Sequence, residues 1–460
     1  MPYRNSLVRM AELIRTRQIS PVELTEAHLK RIEALQPKIN AFVRILHDEA
    51  LTAANAAESA VMHGEKLGPL HGVPVTVKDS FDMAGLPTWC GSRFRLDHVA
   101  KKDATAVARL RSAGAVILGK TNTPEFLNNY ETDNYLVGRT NNPWDLSSTA
   151  GGSSGGESAA IASYCSAGGI GSDGGGSIRI PAHFCGIAGL KPTPGRCSAA
   201  GHFPQIAHPG GMLGVGGPMA RTAEDVRLLF TVLAGHDIED PFSAPVPLRV
   251  PSLDDLRVGF WPAMFDTPIE PETRDVLDKA AGALRELGIA VDEFESKDLD
   301  RAPDLWWFFF ERVYAPFTRQ LIEGRESDAH WTGTELMFRA LQEPEPTMQD
   351  VVANLGARDR LRTALFRKME RYTVLLTPVC STHAFPHRQR PYDLLKMMQP
   401  VTVFNVLGMP AVVIPFGLSK SGLPVGIQLA ARAYDEELLL ELAVRMECVR
   451  GAFPLPGTIE

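Results

Sequence analysis

What this chain lacks narrows its reading first. Its 460 residues include only six cysteines, at positions 90, 165, 185, 197, 380 and 448, and no CxxC pair. That excludes a zinc knuckle and offers no disulfide framework for a chain of this length. Most of these thiols are expected to be buried, with Cys90 and Cys185 packing as small apolar side chains. No apolar run approaches the length of a membrane span, and Met1-Pro2-Tyr3-Arg4 leads into an amphipathic segment rather than a secretory signal. There is no basic excess either. Lys and Arg number 47 against 54 Asp and Glu, a formal net charge of -7, which gives no footing for nucleic-acid phosphates. A cytoplasmic globule with neither a membrane nor a nucleic-acid partner is expected. No polar linker or charge block divides the chain. The proline-rich stretch from Asp240 to Pro251 is its best candidate boundary.

The residues that are present alternate between helix and strand periods. Leu7 to Ile14 has helical spacing, and Ser20-Pro21-Val22-Glu23 offers a capping serine, proline at the first helical position and glutamate at the third. Val73 to Lys78 alternates in the strand period, and Ala115 to Leu118 is a short buried-strand run after a helix near Thr105 to Ala113. A helix from Thr222 through Leu233 follows. Strands are expected at 256–260, 289–294, 374–376, 411–415 and 426–430, with a helix at 271–287 and a mostly helical segment from 304 to 373. This is the strand–helix–strand alternation of α/β proteins.

Between Gly151 and Arg179 lie two serines wrapped in glycine, Gly152-Ser153-Ser154-Gly155-Gly156 and Asp173-Gly174-Gly175-Gly176-Ser177-Ile178-Arg179, joined by an Ala-rich helical segment. Glycine admits positive φ and close approach of backbone N–H groups, so such a loop can hold an oxyanion beside a serine. Three other motif matches carry less. Gly114 to Thr121 fits GxxxxGK[ST], but its middle residues, Val116-Ile117-Leu118, read as the strand itself and not as an open phosphate loop. Gly169 to Gly174 fits GxGxxG, yet Gly175-Gly176-Ser177-Ile178-Arg179-Ile180-Pro181 does not read as the opening of a pyrophosphate-binding helix. Gly151 to Gly155 fits GxSxG, but Asp145 to Ala150 is a poor strand to precede a nucleophile elbow. His383 and His387 straddle Pro386 in what reads as a loop, with no third metal ligand.

Taken together the motifs resemble the amidase signature hydrolases. The resemblance rests on Gly151 to Gly156, on Gly171-Ser172-Asp173-Gly174-Gly175-Gly176-Ser177-Ile178-Arg179-Ile180-Pro181-Ala182, and on Gly186-Ile187-Ala188-Gly189-Leu190-Lys191-Pro192-Thr193, in family order and spacing. Family-like segments flank these at Gly72 to Asp79, Gly217 to Thr222 and Gly422 to Gln428. The resemblance implies an α/β fold of one large domain over 1–460 around a central mixed sheet. N-terminal helices would occupy about 5–60, the signature core about 70–235 and a variable substrate-lining region about 300–370.

It also implies a hydrolase of linear carboxylic amides, with esters as a side activity, needing no cofactor and no metal. The partner implied is a small-molecule amide, and a homodimer is compatible with it. Carried over by position, Ser177 is the nucleophile, Ser153 the bridging serine after a cis peptide bond, and Lys78 the base. The oxyanion hole falls to the N–H groups of Gly174, Gly175, Gly176 and Ser177, with Ser154, Asp173 and Arg179 in support. An acyl-enzyme would follow attack by Ser177 on the amide carbon. The lysine must be neutral to act. Deprotonating an ordinary one near pH 7 costs about 4 to 5 kcal/mol, so burial on the strand must lower its pKa. A solvated Lys78 paired with Asp79 is the plain alternative.

Substrate-lining residues are expected at Trp89, Phe126, Tyr130, Trp306 and Phe309, although the aromatic run Trp306 to Phe310 reads equally as helix core. Where the family commonly has threonine or isoleucine, this chain has Gly174, which should loosen the oxyanion loop. Trp89 replaces a small residue and should narrow or line the acyl pocket. Two other functions fit the same residues: the glutaminase component of a tRNA-dependent amidotransferase, and a non-catalytic binding protein on this fold.

Overall fold

Pro74 to Lys78 is buried at every residue, the mark of a strand covered on both faces. A computed structural model describes residues 1–206 and 210–457 and places this strand within one mixed eleven-stranded sheet. In chain order the strands are β1 (Phe42–Ile45), β2 (Pro74–Lys78), β3 (Val116–Thr121), β4 (Gly168–Asp173), β5 (Ala188–Lys191), β6 (Val215–Ala220), β7 (Arg257–Phe260), β8 (Ala290–Glu293), β9 (Val374–Pro378), β10 (Ala411–Leu418) and β11 (Pro424–Ala431). Their order across the sheet is β1-β3-β2-β4-β6-β5-β10-β11-β9-β7-β8. Strands β3, β2 and β4 run parallel, as do β9, β7 and β8, and the remaining pairs are antiparallel. The stretch from Asp240 to Pro251 is no domain boundary, because β7 and β8 beyond it join the same sheet through β9.

Alternation along the strands sorts apolar side chains to two faces. Val75, Val77, Ile117, Val412 and Ile414 pack in one cluster with helices Leu7–Arg15, Ala223–Leu233, Pro271–Glu286 and Glu436–Arg450. Their neighbours Val116, Leu118 and Val413 pack in a second cluster with helices Gly155–Ala162 and Arg179–Cys185. The helix starts follow local chemistry. Ser20 Oγ accepts the N–H groups of Val22 and Glu23 at 3.0 and 3.2 Å to open Pro21–Ile39, and Thr222 Oγ1 accepts from Asp225 N–H at 3.2 Å to open the helix after it. Both satisfy otherwise unpaired donors of a first turn.

Strands β4 and β6 lack the expected strand signal because glycine takes the place of alternating side chains, and β5, with four residues, is too short to show alternation. At Gly169 the reason is close approach: a Cβ there would lie 2.2 Å from both Glu157 Oε1 and the Thr76 carbonyl oxygen. The P-loop-like segment is strand β3, and its lysine has a structural task. Lys120 Nζ lies 2.8 Å from Asp79 Oδ1 and also donates to Pro87 C=O and Thr88 Oγ1 at 2.8 and 2.9 Å. Burial pushes the Asp79 carboxyl up, and the adjacent ammonium holds it partway back. Five of the six cysteines are buried and Cys448 is exposed.

Removing one partner of a pair so enclosed leaves the other charge without compensation. Lys120→Met is expected to lower the unfolding free energy in urea by about 3 kcal/mol, and adding Asp79→Asn to restore most of it. Equal destabilisation in the single and double variants would show that the pair's charge is not what matters.

Candidate active site

Because β2 and β4 are parallel neighbours, their carboxyl ends lie side by side, at the sheet edge where α/β proteins assemble sites. Lys78 ends β2 and is fully buried. Its Nζ lies 2.7 Å from Ser153 Oγ, 3.0 Å from Ser172 Oγ and 3.4 Å from the Ser172 carbonyl oxygen. Burial draws the lysine down to about 7, offset in part by nearby Cys90, Asp173 and Glu157. The solvated Lys78–Asp79 pair is therefore absent, since Asp79 pairs with Lys120.

Ser153 follows a cis peptide bond from Gly152 and is 1% exposed. Ser154 ties its loop to β4, its Oγ donating to Ser172 C=O at 3.3 Å and accepting from Ser172 N–H at 3.4 Å. The Ser154 N–H donates to Ser177 C=O at 3.1 Å, which holds the two serine loops together. Among the described residues no hydrogen bond joins the Ser153 and Ser177 hydroxyls, although both residues line one cavity. Catalytic hydrogen bonds are often long without substrate and tighten in its complex.

Asp173 organises the glycine loop. Its Oδ1 accepts from Gly176 N–H at 2.8 Å, and its Oδ2 accepts from the N–H groups of Ile178 and Arg179 at 3.1 and 3.4 Å. Arg179 grips both oxygens from its side chain, at 3.0 Å through Nε and 2.9 Å through Nη2, and reaches Val401 C=O, Gln428 and Asn405 as well. Burial opposes ionisation of Asp173, but the guanidinium overcomes it and holds the carboxyl well below the usual range. Two expectations change. A short helix, Arg179–Cys185, does open directly after the glycines, and Asp173 occupies the N–H groups at its start. The Gly176 N–H, expected as an oxyanion donor, is committed to Asp173, which leaves those of Gly174, Gly175 and Ser177 without an acceptor among the described residues.

The loop is also held from outside. Trp306 Nε1 donates to Gly174 C=O at 2.9 Å, and the Tyr130 hydroxyl donates to Gly175 C=O at 3.1 Å. A Cβ on Gly174 would lie 2.4 Å from the Phe310 ring, and one on Gly175 2.6 Å from the Trp306 ring. Gly174 thus admits aromatic packing instead of loosening the loop. The rings of Trp306 and Phe310 stack with centroids 4.8 Å apart.

The cavity beside Ser153 and Ser177 measures about 570 Å³, and its walls include Phe126, Phe203, Phe310, Phe317, Leu321 and Met337. Of the aromatic residues expected there, Phe126 lines it, whereas Tyr130 and Trp306 anchor the glycine loop from behind and Phe309 is buried in an apolar cluster. Trp89 lies outside the lining, with the Arg44 guanidinium 5.4 Å from its ring. His383 and His387 point to Glu270 and Glu131, at 2.8 and 2.7 Å. No helix among the described residues is long and apolar enough to cross a membrane.

Sequence reasoning passed over three polar residues here. Ser172 touches Lys78, but the serine follows glycines that hide its strand. Glu157 accepts from Thr76 Oγ1 and Thr121 Oγ1 at 2.5 and 2.7 Å, and burial pushes it up to about 7 despite those bonds and nearby Lys78. A glutamate amid the alanines of 155–162 was the available signal. Glu311, on the cavity wall, follows the aromatic run.

The family of the chain follows from comparison with known proteins. The family model described as Amidase matches residues 23–440. Indoleacetamide hydrolase from Bradyrhizobium diazoefficiens is 36% identical, over 96% of this chain and 86% of the relative. A glutamyl-tRNA(Gln) amidotransferase component from Acidothermus cellulolyticus is 34% identical, over 96% and 94%. The solved structure of 6-aminohexanoate cyclic dimer hydrolase superposes with a TM-score of 0.87 at 30% identity, covering 99% of each chain. With the family matched across most of its length and the fold shared along nearly all of it, the chain belongs to the amidase signature family of amide hydrolases.

Proposed function

We propose that this protein hydrolyses small carboxylic amides with an apolar substituent through Lys78, Ser153 and Ser177 and an acyl-enzyme on Ser177. The observation that carries the reading is the buried Lys78 Nζ, 2.7 Å from Ser153 Oγ at a cavity that Ser177 also lines. Neutral Lys78 accepts the Ser153 proton, Ser153 accepts that of Ser177, and the Ser177 oxygen attacks the amide carbon. The N–H groups of Gly174, Gly175 and Ser177 stabilise the oxyanion that forms. The proton returns through Ser153 to the leaving nitrogen, the C–N bond breaks, and water resolves the ester to acid and free enzyme.

The apolar walls favour a hydrocarbon or aryl substituent. The alternative of an amidotransferase glutaminase is supported by the glutamyl-tRNA(Gln) amidotransferase relative. Glutamine, however, carries an α-carboxylate that needs a cationic partner when desolvated. The described residues lining the cavity include no Lys or Arg.

A fluorophosphonate is expected to label Ser177, as located by peptide mass spectrometry. Labelling should disappear in Ser177→Ala and slow by at least about a thousandfold in Lys78→Ala. An adduct on Ser153 would overturn the assignment. With Lys78 near 7 and active only when neutral, kcat/KM should rise tenfold per pH unit below about pH 7 and level off above it. A flat profile from pH 5 to 9 would remove Lys78 as the base. Trp306→Phe, which loses the bond to Gly174 C=O, is expected to lower kcat by about ten- to a hundredfold with KM little changed, as read in steady-state kinetics. An effect confined to KM would instead make Trp306 a substrate contact.

A further inference from the structure

Glu311 is a carboxyl enclosed without full compensation. It is 2% exposed, and its Oε2 receives one long bond, 3.4 Å from Asn128 Nδ2. Its Oε1 has no hydrogen-bond partner among the described residues. Both Glu311 and Asn128 line the cavity that reaches Ser177. The next residue, Arg312, brings no charge to it, because its guanidinium pairs with Glu343 at 3.0 Å. Burial accordingly pushes the Glu311 carboxyl up to about 8, with only the Asn128 bond acting against it.

The backbone explains how the group reaches the cavity. Trp307 to Arg312 forms a π-helical turn, and such turns displace side chains from the ordinary helical progression. Phe310 and Glu311, adjacent in sequence, both face the cavity, Phe310 beside Gly174 and Glu311 beside Asn128. A buried oxygen left unpaired is costly unless a ligand completes it.

We propose that Glu311 is a specificity residue that receives a hydrogen-bond-donating nitrogen on the substrate, so that the preferred amides carry an N–H or ammonium group on their apolar portion. This rests on the amide-hydrolase reading of the same cavity. With its carboxyl pushed up to about 8, Glu311 is largely protonated near pH 7. An ammonium would bring the counter-charge that favours the ionised form and pair with it, and a neutral N–H would donate to Oε1 with the carboxyl proton on Oε2. Either one satisfies Oε1. A substrate of equal size without the donor leaves it unpaired, and a site built for a donor discriminates on that ground more strongly than on size alone.

Two matched pairs test this: indole-3-acetamide against benzothiophene-3-acetamide for a neutral N–H, and 4-(aminomethyl)phenylacetamide against 4-ethylphenylacetamide for an ammonium. The ratio of kcat/KM within each pair would be measured for the parent, Glu311→Gln and Glu311→Leu. The parent is expected to favour the donor-bearing member of at least one pair by about tenfold or more. The ratio should fall to near one in Glu311→Leu and persist in part in Glu311→Gln, whose carbonyl oxygen still accepts. The pair that responds identifies the donor as neutral or charged. No preference in the parent, or an undiminished preference in Glu311→Leu, would overturn the proposal. Calorimetric binding of the same amides to Ser177→Ala reads the subsite without turnover. Donor preference there without hydrolysis by the parent would sink the catalytic reading and leave the subsite standing. Fluorophosphonate labelling of Ser177 with neither binding nor kinetic preference would do the reverse.

Discussion

The site depends on a lysine kept from its natural partners. Besides Glu157, two acidic residues lie close to Lys78, Asp79 next in sequence and Asp173 on the adjoining strand, and either could form an ion pair with it. Neither does. Lys120 holds Asp79 at 2.8 Å, and Arg179 holds Asp173 through two nitrogens. Lys78 is left with serine hydroxyl and carbonyl oxygens, which solvate an ammonium poorly and leave a neutral amine in reach of Ser153. A carboxylate in contact would fix the charge and raise the pKa, so by occupying these carboxylates the surrounding ion pairs let burial hold the lysine down.

The polypeptide builds this arrangement from strands that are poor strands by propensity. Glycines in β4 and β6 forgo side-chain packing, and in exchange the sheet brings Glu157, Thr76 and Ser172 close to the lysine. The loop after β4 is determined by two kinds of contact. The Asp173 carboxylate gathers N–H groups from one side, and the indole and phenol of Trp306 and Tyr130 take up carbonyls from the other. The peptide planes between them are thereby oriented before any ligand arrives, which is the condition under which backbone dipoles stabilise developing charge most effectively.

Much of this was legible in the sequence, and the pattern of what was not is physical. The capped helix at Pro21, the strand ending at Lys78 and the strand within the P-loop-like segment all carry side-chain periodicity, so they could be read. The serine-glycine segments could be recognised because their spacing is tied to their geometry. Strands β4 and β6 were hidden, because hydrophobic alternation cannot register where the residues are glycine. Trp306 and Tyr130 read as substrate-lining because aromatic side chains near a site usually line it, whereas here their polar tips anchor backbone. Glu311 was passed over, since nothing in the sequence marks a carboxyl after an aromatic run as facing a cavity.

The Trp306 to Gly174 bond has a consequence for how such a protein could change its preferences. The turn that shapes the cavity wall and the side chain that braces the glycine loop belong to one short stretch of chain, Trp306 to Glu311. Substitutions that reshape the wall to admit a new amide would therefore also strain or relax the brace. Selectivity and turnover are mechanically linked in this fold. Drift toward a new substrate would proceed through variants compromised in rate, with recovery coming from second changes that re-seat the indole.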